Sequence, residues 1–244
     1  NQMKLLIDAD FFLYRACQTA EEELEFNPEC TVIVGDYRKA QGIVRREINN
    51  LSSRFDSDDV LLCFTDRVNF RKSVEPTYKG NRTKRKPAGY LKLKNWAMET
   101  WQSVMKPGLE ADDVLGILAT KPDFGPHVLI SPDKDMLQIP TRIYNLKEEF
   151  TQTEDDADLQ LWMQALTGDS TDGYSGCPTY GPKRASVALG KAKTPSERWA
   201  VVLECFESVG LTKEDALRNL RLARILQFQD WDAGKQEPIL ITPQ

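Results

Sequence analysis

Three short runs along the chain are almost unbroken in apolar residues: Lys4-Leu5-Leu6-Ile7, Val60-Leu61-Leu62-Cys63-Phe64 and His127-Val128-Leu129-Ile130. Runs of this length without polar alternation are the pattern of strands covered on both faces. A fourth candidate, Arg142-Ile143-Tyr144-Asn145-Leu146, is more polar and reads as an edge strand. Between the runs the spacing turns helical. Phe11 to Ala20 reads as a helix, and Asp36 to Phe55 is amphipathic, with Ile43, Val44, Ile48 and Leu51 at helical spacing. A further helix begins near Glu110, between the stops Pro107-Gly108 and Lys121-Pro122. Leu159 to Leu166, the run carrying Ala185 to Leu189, and Ser196 to Phe228 are helical as well, whereas Glu21-Glu22-Glu23 to Pro28 reads as a charged surface loop. Strands that alternate with helices predict an α/β fold with a parallel central sheet flanked by helices.

The 244 residues suffice for one large α/β domain, or for a domain with a helical appendage. No apolar run approaches the ~20 residues of a membrane span, and no signal-peptide core is present. Met3 reads as the natural start. Five cysteines without a CxxC pair argue for reduced thiols in a cytosol-like, cytoplasmic setting. Cys17, Cys63 and Cys205 sit in apolar runs and read as core residues. The single histidine, His127, leads into a strand, which argues against His/Cys zinc and against a histidine base.

The acids carry the chemistry. The apolar strands end in Asp8, in Asp66, and in Asp133 with Asp135. In an open parallel sheet, the carboxyl ends of the strands line the crevice where ligands bind. The helix starting at Glu110 begins on that edge, with Asp112 and Asp113 in its first turn. Glu110 and Asp113 lie about 60° apart there, and Asp112 about 100° further round. Acids in a first turn suit the helix dipole, but so many gathered carboxylates repel one another unless a cation sits among them. Oxygen-only ligands select Mg²⁺ or Mn²⁺.

The net charge of −5 does not mark a nucleic-acid binder, but the charge is unevenly spread. From Arg67 to Lys94 there are ten Lys/Arg against one acid, Glu75. This segment follows the second strand and so lies beside the acidic crevice. A cation-rich segment there suits a phosphate-bearing polymer, with Phe70 or Tyr78 placed to stack on bases. Farther along, Gly168-Asp169-Ser170-Thr171-Asp172 adds two acids. A turn flanked by Gly176 and Gly181 then leads into a helix opened by Pro182, where backbone amides can bind phosphate.

From about Lys4 to Leu189 these motifs resemble the structure-specific 5′-nuclease family: flap endonucleases, phage 5′–3′ exonucleases and the 5′-nuclease domain of bacterial DNA polymerase I. The matching stretches are Leu6-Ile7-Asp8, Cys63 to Asp66 with Phe70-Arg71, Tyr78-Lys79-Gly80-Asn81-Arg82, Glu110-Ala111-Asp112-Asp113, Ser131 to Asp135 with Gln138, and Gly168 to Asp172 through Lys183. The hairpin departs from the family pattern at Gly173-Tyr174, where the family commonly has Asn-Ile. It departs again at Thr179-Tyr180-Gly181, where Gly-Ile-Gly is frequent.

The resemblance implies a PIN-like nuclease domain over 1–150, with a basic helical arch at about 67–94. It implies a helical DNA-binding region over 151–244, with a helix-hairpin-helix at about 160–190. It implies two Mg²⁺ or Mn²⁺ ions, the first near Asp8, Asp66, Glu110, Asp112 and Asp133, the second near Asp113, Asp135, Asp169 and Asp172. Asp10 stands behind these ligands. Lys79 and Arg82 would hold the scissile phosphate. Arg71, Lys72, Tyr78, Lys84, Arg85 and Lys86 of the arch, with Gly176, Gly181 and Lys183 of the hairpin, would contact DNA. A K⁺ ion could be held by the hairpin carbonyls.

The implied substrate is DNA with a 5′ end, flap or gap, or an RNA/DNA hybrid at a primer. The implied setting is phage DNA replication, by a monomeric, standalone enzyme, since nothing like a polymerase or clamp-binding tail follows the hairpin. Two other readings share the acidic crevice: a PIN-like single-strand ribonuclease and a catalytically inactive DNA-structure-binding protein.

Overall fold

The computed structural model describes residues 2–82 and 85–244. Lys84, expected at the DNA, lies outside the described residues. In chain order the first part of the chain comprises β1 (Lys4–Asp8), α1 (Ala9–Ala20), β2 (Glu21–Asn27), β3 (Cys30–Gly35), α2 (Tyr37–Phe55), β4 (Val60–Phe64), α3 (Arg71–Val74), α4 (Tyr90–Thr100), β5 (Ser103–Met105) and α5 (Ala111–Ala119). It continues with β6 (His127–Ile130), a 3-10 turn (Lys134–Gln138), β7 (Arg142–Tyr144) and β8 (Glu149–Thr151). The remainder comprises α6 (Glu154–Thr167), β9 (Gly168–Asp169), β10 (Tyr174–Ser175), α7 (Pro182–Leu189), α8 (Pro195–Ser208), α9 (Lys213–Ala223), β11 (Trp231–Asp232) and β12 (Glu237–Pro238).

The central sheet has the order β5-β4-β1-β6-β7-β8. All its pairings are parallel except β7 with β8. The three apolar runs are its middle strands, and alternate residues serve opposite faces. Leu5, Ile7, Leu62, Phe64, Val128 and Ile130 pack with α1, α2 and α4. Leu6, Leu61, Cys63 and Leu129 pack with α5. A third core joins α6 to α9 and takes in Tyr78 from the basic segment.

Several elements differ from expectation. The charged stretch from Glu21 is not a loop: β2 pairs antiparallel with β3 in a projecting hairpin. Glutamates alternate there with Leu24 and Phe26 opposite Thr31 to Val34, a strand pattern that the run of acids obscures. The fourth strand is not at the edge, because β8 folds back along β7. At the other edge, β5 is only three residues long and too short to show a period. The basic segment holds α3 and the start of α4, with turns and irregular backbone through most of its described length between them. The sheet ends at Thr151 and α6 begins at Glu154, but the last segment returns: Ile225, Leu226 and Trp231 pack against the α5 side of the sheet.

Candidate active site

The carboxyl ends of β1, β4 and β6 and the start of α5 meet at one edge, around a cavity of about 480 Å³. Asp8, Glu110, Asp112, Asp133, Asp135 and Asp172 line it, together with Asp10. Oxygens of Asp112, Asp133 and Asp135 lie within 4.8 Å of one another, and so do those of Asp135, Asp169 and Asp172. Asp135 belongs to both groups. The first group comes from the sheet edge and α5; the second is completed by the turn after α6.

Two of the expected metal ligands, Asp66 and Asp113, do not line this cavity. Asp113 is fully buried and grips Arg71 with both oxygens at 2.7 Å. It is turned inward, away from the crevice that Asp112 faces. Asp66 accepts the amide of Gly108 at 2.8 Å and so holds the loop entering α5. It lines a cavity of about 620 Å³ that adjoins the acidic one and shares Asp10, Lys79, Arg82 and Glu110 with it. Asp10 does reach the crevice, where it accepts the Thr65 amide at 2.7 Å and the Tyr90 hydroxyl.

The electrostatics separate these acids. Burial, with Asp10 and Asp133 nearby, pushes Asp8 up to about 7 despite a hydrogen bond from Ser131. Burial and the Asp133 charge push Asp135 to about 7. Burial and the Asp133, Asp8 and Asp135 charges raise Asp112 well above the usual carboxylate range. Burial also raises Asp172, against the pull of Lys79. Glu110 is the exception: burial would raise it, but Arg71 and Lys79 bring it down to about 2. The ion pairs in the crevice reach Glu110, Asp172 and Asp169. Among the described residues none reaches Asp8, Asp112, Asp133 or Asp135. Crowded, uncompensated carboxylates with oxygen donors only are what a hard divalent cation requires.

The basic segment borders this crevice through Lys79 and Arg82. Lys79 pairs with Glu110 and stands 3.8 Å from Asp172; Arg82 reaches Asp172 at 2.9 Å. The Lys79 backbone, at a φ of 56°, donates to the Asp172 carbonyl at 2.7 Å. Burial would lower the Lys79 pKa, but Glu110 raises it, so the ammonium stays charged.

The expected DNA contacts divide. Arg71 has no exposed surface and cannot meet a phosphate. Tyr78 is buried, donates to Glu110 at 3.2 Å and packs on Tyr174, so it walls the crevice rather than offering a face for a base. Lys72 is exposed but ties back to the Tyr78 carbonyl at 2.8 Å. Arg85 pairs with Glu21 at the base of the hairpin, and Lys86 lines the neighbouring cavity over Tyr90. Gly176 has a packing role: a Cβ there would stand 2.3 Å from the Leu166 carbonyl oxygen. Gly181 caps α7, and Lys183 is exposed in its first turn.

Four residues were not anticipated. Gln164 donates to Asp135 at 2.6 Å, and Ser131 to Asp8 at 2.8 Å. Tyr174 lines the crevice, and Lys134 stands 3.4 Å from Asp169. Gln164 had a signal: it is the polar member of the buried stripe Leu161, Trp162, Ala165 and Leu166 on α6.

The family described as 5′-3′ exonuclease, N-terminal resolvase-like domain, matches residues 3–161. The exonuclease of Escherichia phage T7 is 31% identical over 98% of this chain and 93% of its own length. The exodeoxyribonuclease of Enterobacteria phage T3 is 30% identical over the same shares. Among solved structures, the flap endonuclease of bacteriophage T5 in a complex with DNA and metal ions matches with a TM-score of 0.67. That match covers 91% of this chain and 89% of that one at 16% identity. The T5 5′-exonuclease with bound zinc gives 0.64 at 18% identity over 91% and 89%. The α/β architecture, a largely parallel sheet flanked by helices, is the one these structures share.

Proposed function

The chain belongs to the 5′-3′ exonuclease family, and from that membership we propose that it hydrolyses phosphodiester bonds near the 5′ ends of DNA duplexes, flaps or gaps with two Mg²⁺ or Mn²⁺ ions. The chain is a nuclease. The observation that carries the finer reading is the pair of carboxylate groups sharing Asp135. Asp8, Asp112, Asp133 and Asp135 hold one cation, and Asp135, Asp169 and Asp172 the other. When bound, such ions lower the pKa of a water and stabilise the leaving 3′ oxygen.

The chain's own groups supply the rest. Lys79 and Arg82 hold the scissile phosphate at the crevice mouth and stabilise its developing charge. Gln164 and Ser131 orient Asp135 and Asp8. Gly181 and Lys183, at the start of α7, grip the duplex backbone without reading bases. Residues 1–150 act as the nuclease unit and 151–244 as the DNA-binding unit, with Asp169 and Asp172 of the second completing the site of the first. An RNA/DNA hybrid presents the same phosphates, and a role in phage DNA replication suits such substrates.

A duplex with an internally labelled 5′ flap tests this, with Mg²⁺ and then with EDTA. Mg²⁺-dependent release of the flap in one piece is the signature of flap endonuclease action. Stepwise loss from the 5′ end indicates exonuclease action at the same site. Tight, salt-sensitive binding without cleavage in Mg²⁺ or Mn²⁺ would overturn the two-metal reading.

A further inference from the structure

We propose that Arg71 is a positioning residue of the cleavage reaction, whose buried guanidinium sets Glu110 in the crevice and holds Asp169 and Asp172 opposite the carboxylates of the sheet. The proposal rests on the reading that the crevice takes two cations. Arg71 roots the basic segment, yet none of its surface is exposed. Its Nε donates to the Leu222 carbonyl at 3.1 Å. One terminal nitrogen donates to Glu110 and Asp113, each at 2.7 Å. The other donates to Asp113 at 2.7 Å and to the Arg224 carbonyl at 2.6 Å. A guanidinium has five N–H donors in a rigid fork, and every one is used.

These partners come from two stretches remote from Arg71 in sequence: the start of α5 and the end of α9. Asp113 completes the tie, accepting the Leu226 amide at 3.1 Å and the Glu110 amide at 3.2 Å. On α9, Asn219 lies just before Leu222 and donates to the Ser175 carbonyl at 2.7 Å. Ser175 pairs with Gly168, and the next residue of that strand is Asp169. A continuous path therefore leads from the Arg71 fork through α9 and β10 to the second carboxylate group. The fork also fixes Glu110 directly, and Glu110 pairs with Lys79. Burial alone would discharge Arg71; Asp113 and Glu110 keep it charged. A lysine would keep the charge but could not span two carboxylates and two carbonyls.

The test measures Mn²⁺ binding to the full chain without DNA, by the electron-spin-resonance signal of free Mn²⁺, beside DNA binding in EDTA. The wild type is expected to take up two ions. Folded Arg71→Lys is expected to lose about tenfold or more in Mn²⁺ affinity, the range seen when an outer partner of a metal ligand is altered. Its DNA binding in EDTA is expected to stay undiminished. Asp113→Asn leaves Arg71 its carbonyl partners and should show a smaller loss in the same direction; it carries the test alone if Arg71→Lys does not fold. Unchanged Mn²⁺ binding in a folded variant overturns the proposal. Loss of DNA binding with Mn²⁺ binding intact makes Arg71 a DNA-binding determinant instead. A wild type that binds no second Mn²⁺ overturns the two-cation reading first, and this proposal with it.

Discussion

Gln164, on α6, donates a 2.6 Å hydrogen bond to Asp135, the carboxylate common to both acidic groups. Gln138 in turn donates to Gln164 at 2.6 Å and to the Ala223 carbonyl at 2.7 Å, so the amide is fixed from behind. The bond lowers the Asp135 pKa against burial and the Asp133 charge, which raise it to about 7. Gln164→Leu removes that help. The acid limb of the pH–rate profile should move to higher pH, with about tenfold weaker Mn²⁺ binding at neutral pH. A profile identical to wild type would deny Gln164 this part.

Asp133 and Asp66 both end a strand, and the structure gives them different work. Asp133 stands among the carboxylates, so Asp133→Asn is expected to abolish cleavage while DNA binding in EDTA persists. Asp66 holds the Gly108 amide. Asp66→Ala should lose that bond, about 1 kcal/mol, and lower Tm by about 2–4 °C. Its single-turnover rate at saturating Mg²⁺ should stay close to wild type. Single-turnover kinetics and thermal unfolding of both variants decide the matter; equal loss of cleavage would return Asp66 to the metal site.

Asp66 and Asp113 are set apart from the other expected ligands by orientation. Strand ends and a helix start can be located from apolar runs, and that sufficed to bring Asp8, Asp112, Asp133 and Asp135 to one edge. Which way a side chain points within that edge depends on neighbours far along the chain. Asp112 and Asp113 are adjacent in one turn, yet one faces the crevice and the other meets Arg71, whose place depends on α9. Arg71 reads in the sequence as a DNA contact with the other cations of its run, since a charge count does not register burial. The hairpin of β2 and β3 was hidden by its glutamates, and Gln164 and Tyr174 reach the crevice only through packing of the helical region against the sheet.

Lys79 lines the acidic crevice, paired with Glu110 and close to Asp172. Its ammonium is held charged, and its backbone is anchored to Asp172. Lys79→Ala should therefore slow the chemical step by about 10²–10³-fold, the usual loss for one charge-stabilising donor. DNA affinity in EDTA should change far less. A single-turnover measurement with enzyme in excess isolates that step, and an unchanged rate would remove Lys79 from the reaction.

The crowded acids also set how stability follows pH. Asp8 and Asp135 are raised from 3.8 to about 7, chiefly by burial. Between those values the folded chain binds more protons than the unfolded one, so stability falls as pH rises through that window. Glu110 acts in the opposite sense: Arg71 and Lys79 overcome burial and hold it at about 2, below its ordinary 4.5. Its contribution is complete above that ordinary value and is lost only as pH falls toward 2, so the raised acids govern the range above pH ~5. With EDTA present, Tm followed by circular dichroism is expected to be lower at pH ~7.5 than at pH ~5.5. Asp112→Asn, which removes one of the crowded charges, should flatten that slope and raise the metal-free Tm. Mg²⁺ competes with protons for the same oxygens, so it should restore stability most at the higher pH. At a hundred times its Kd, the gain from one ion is about 2.7 kcal/mol. A metal-free Tm that does not fall with pH, together with no Mg²⁺ effect, would show that these carboxylates are not the crowded set their geometry describes.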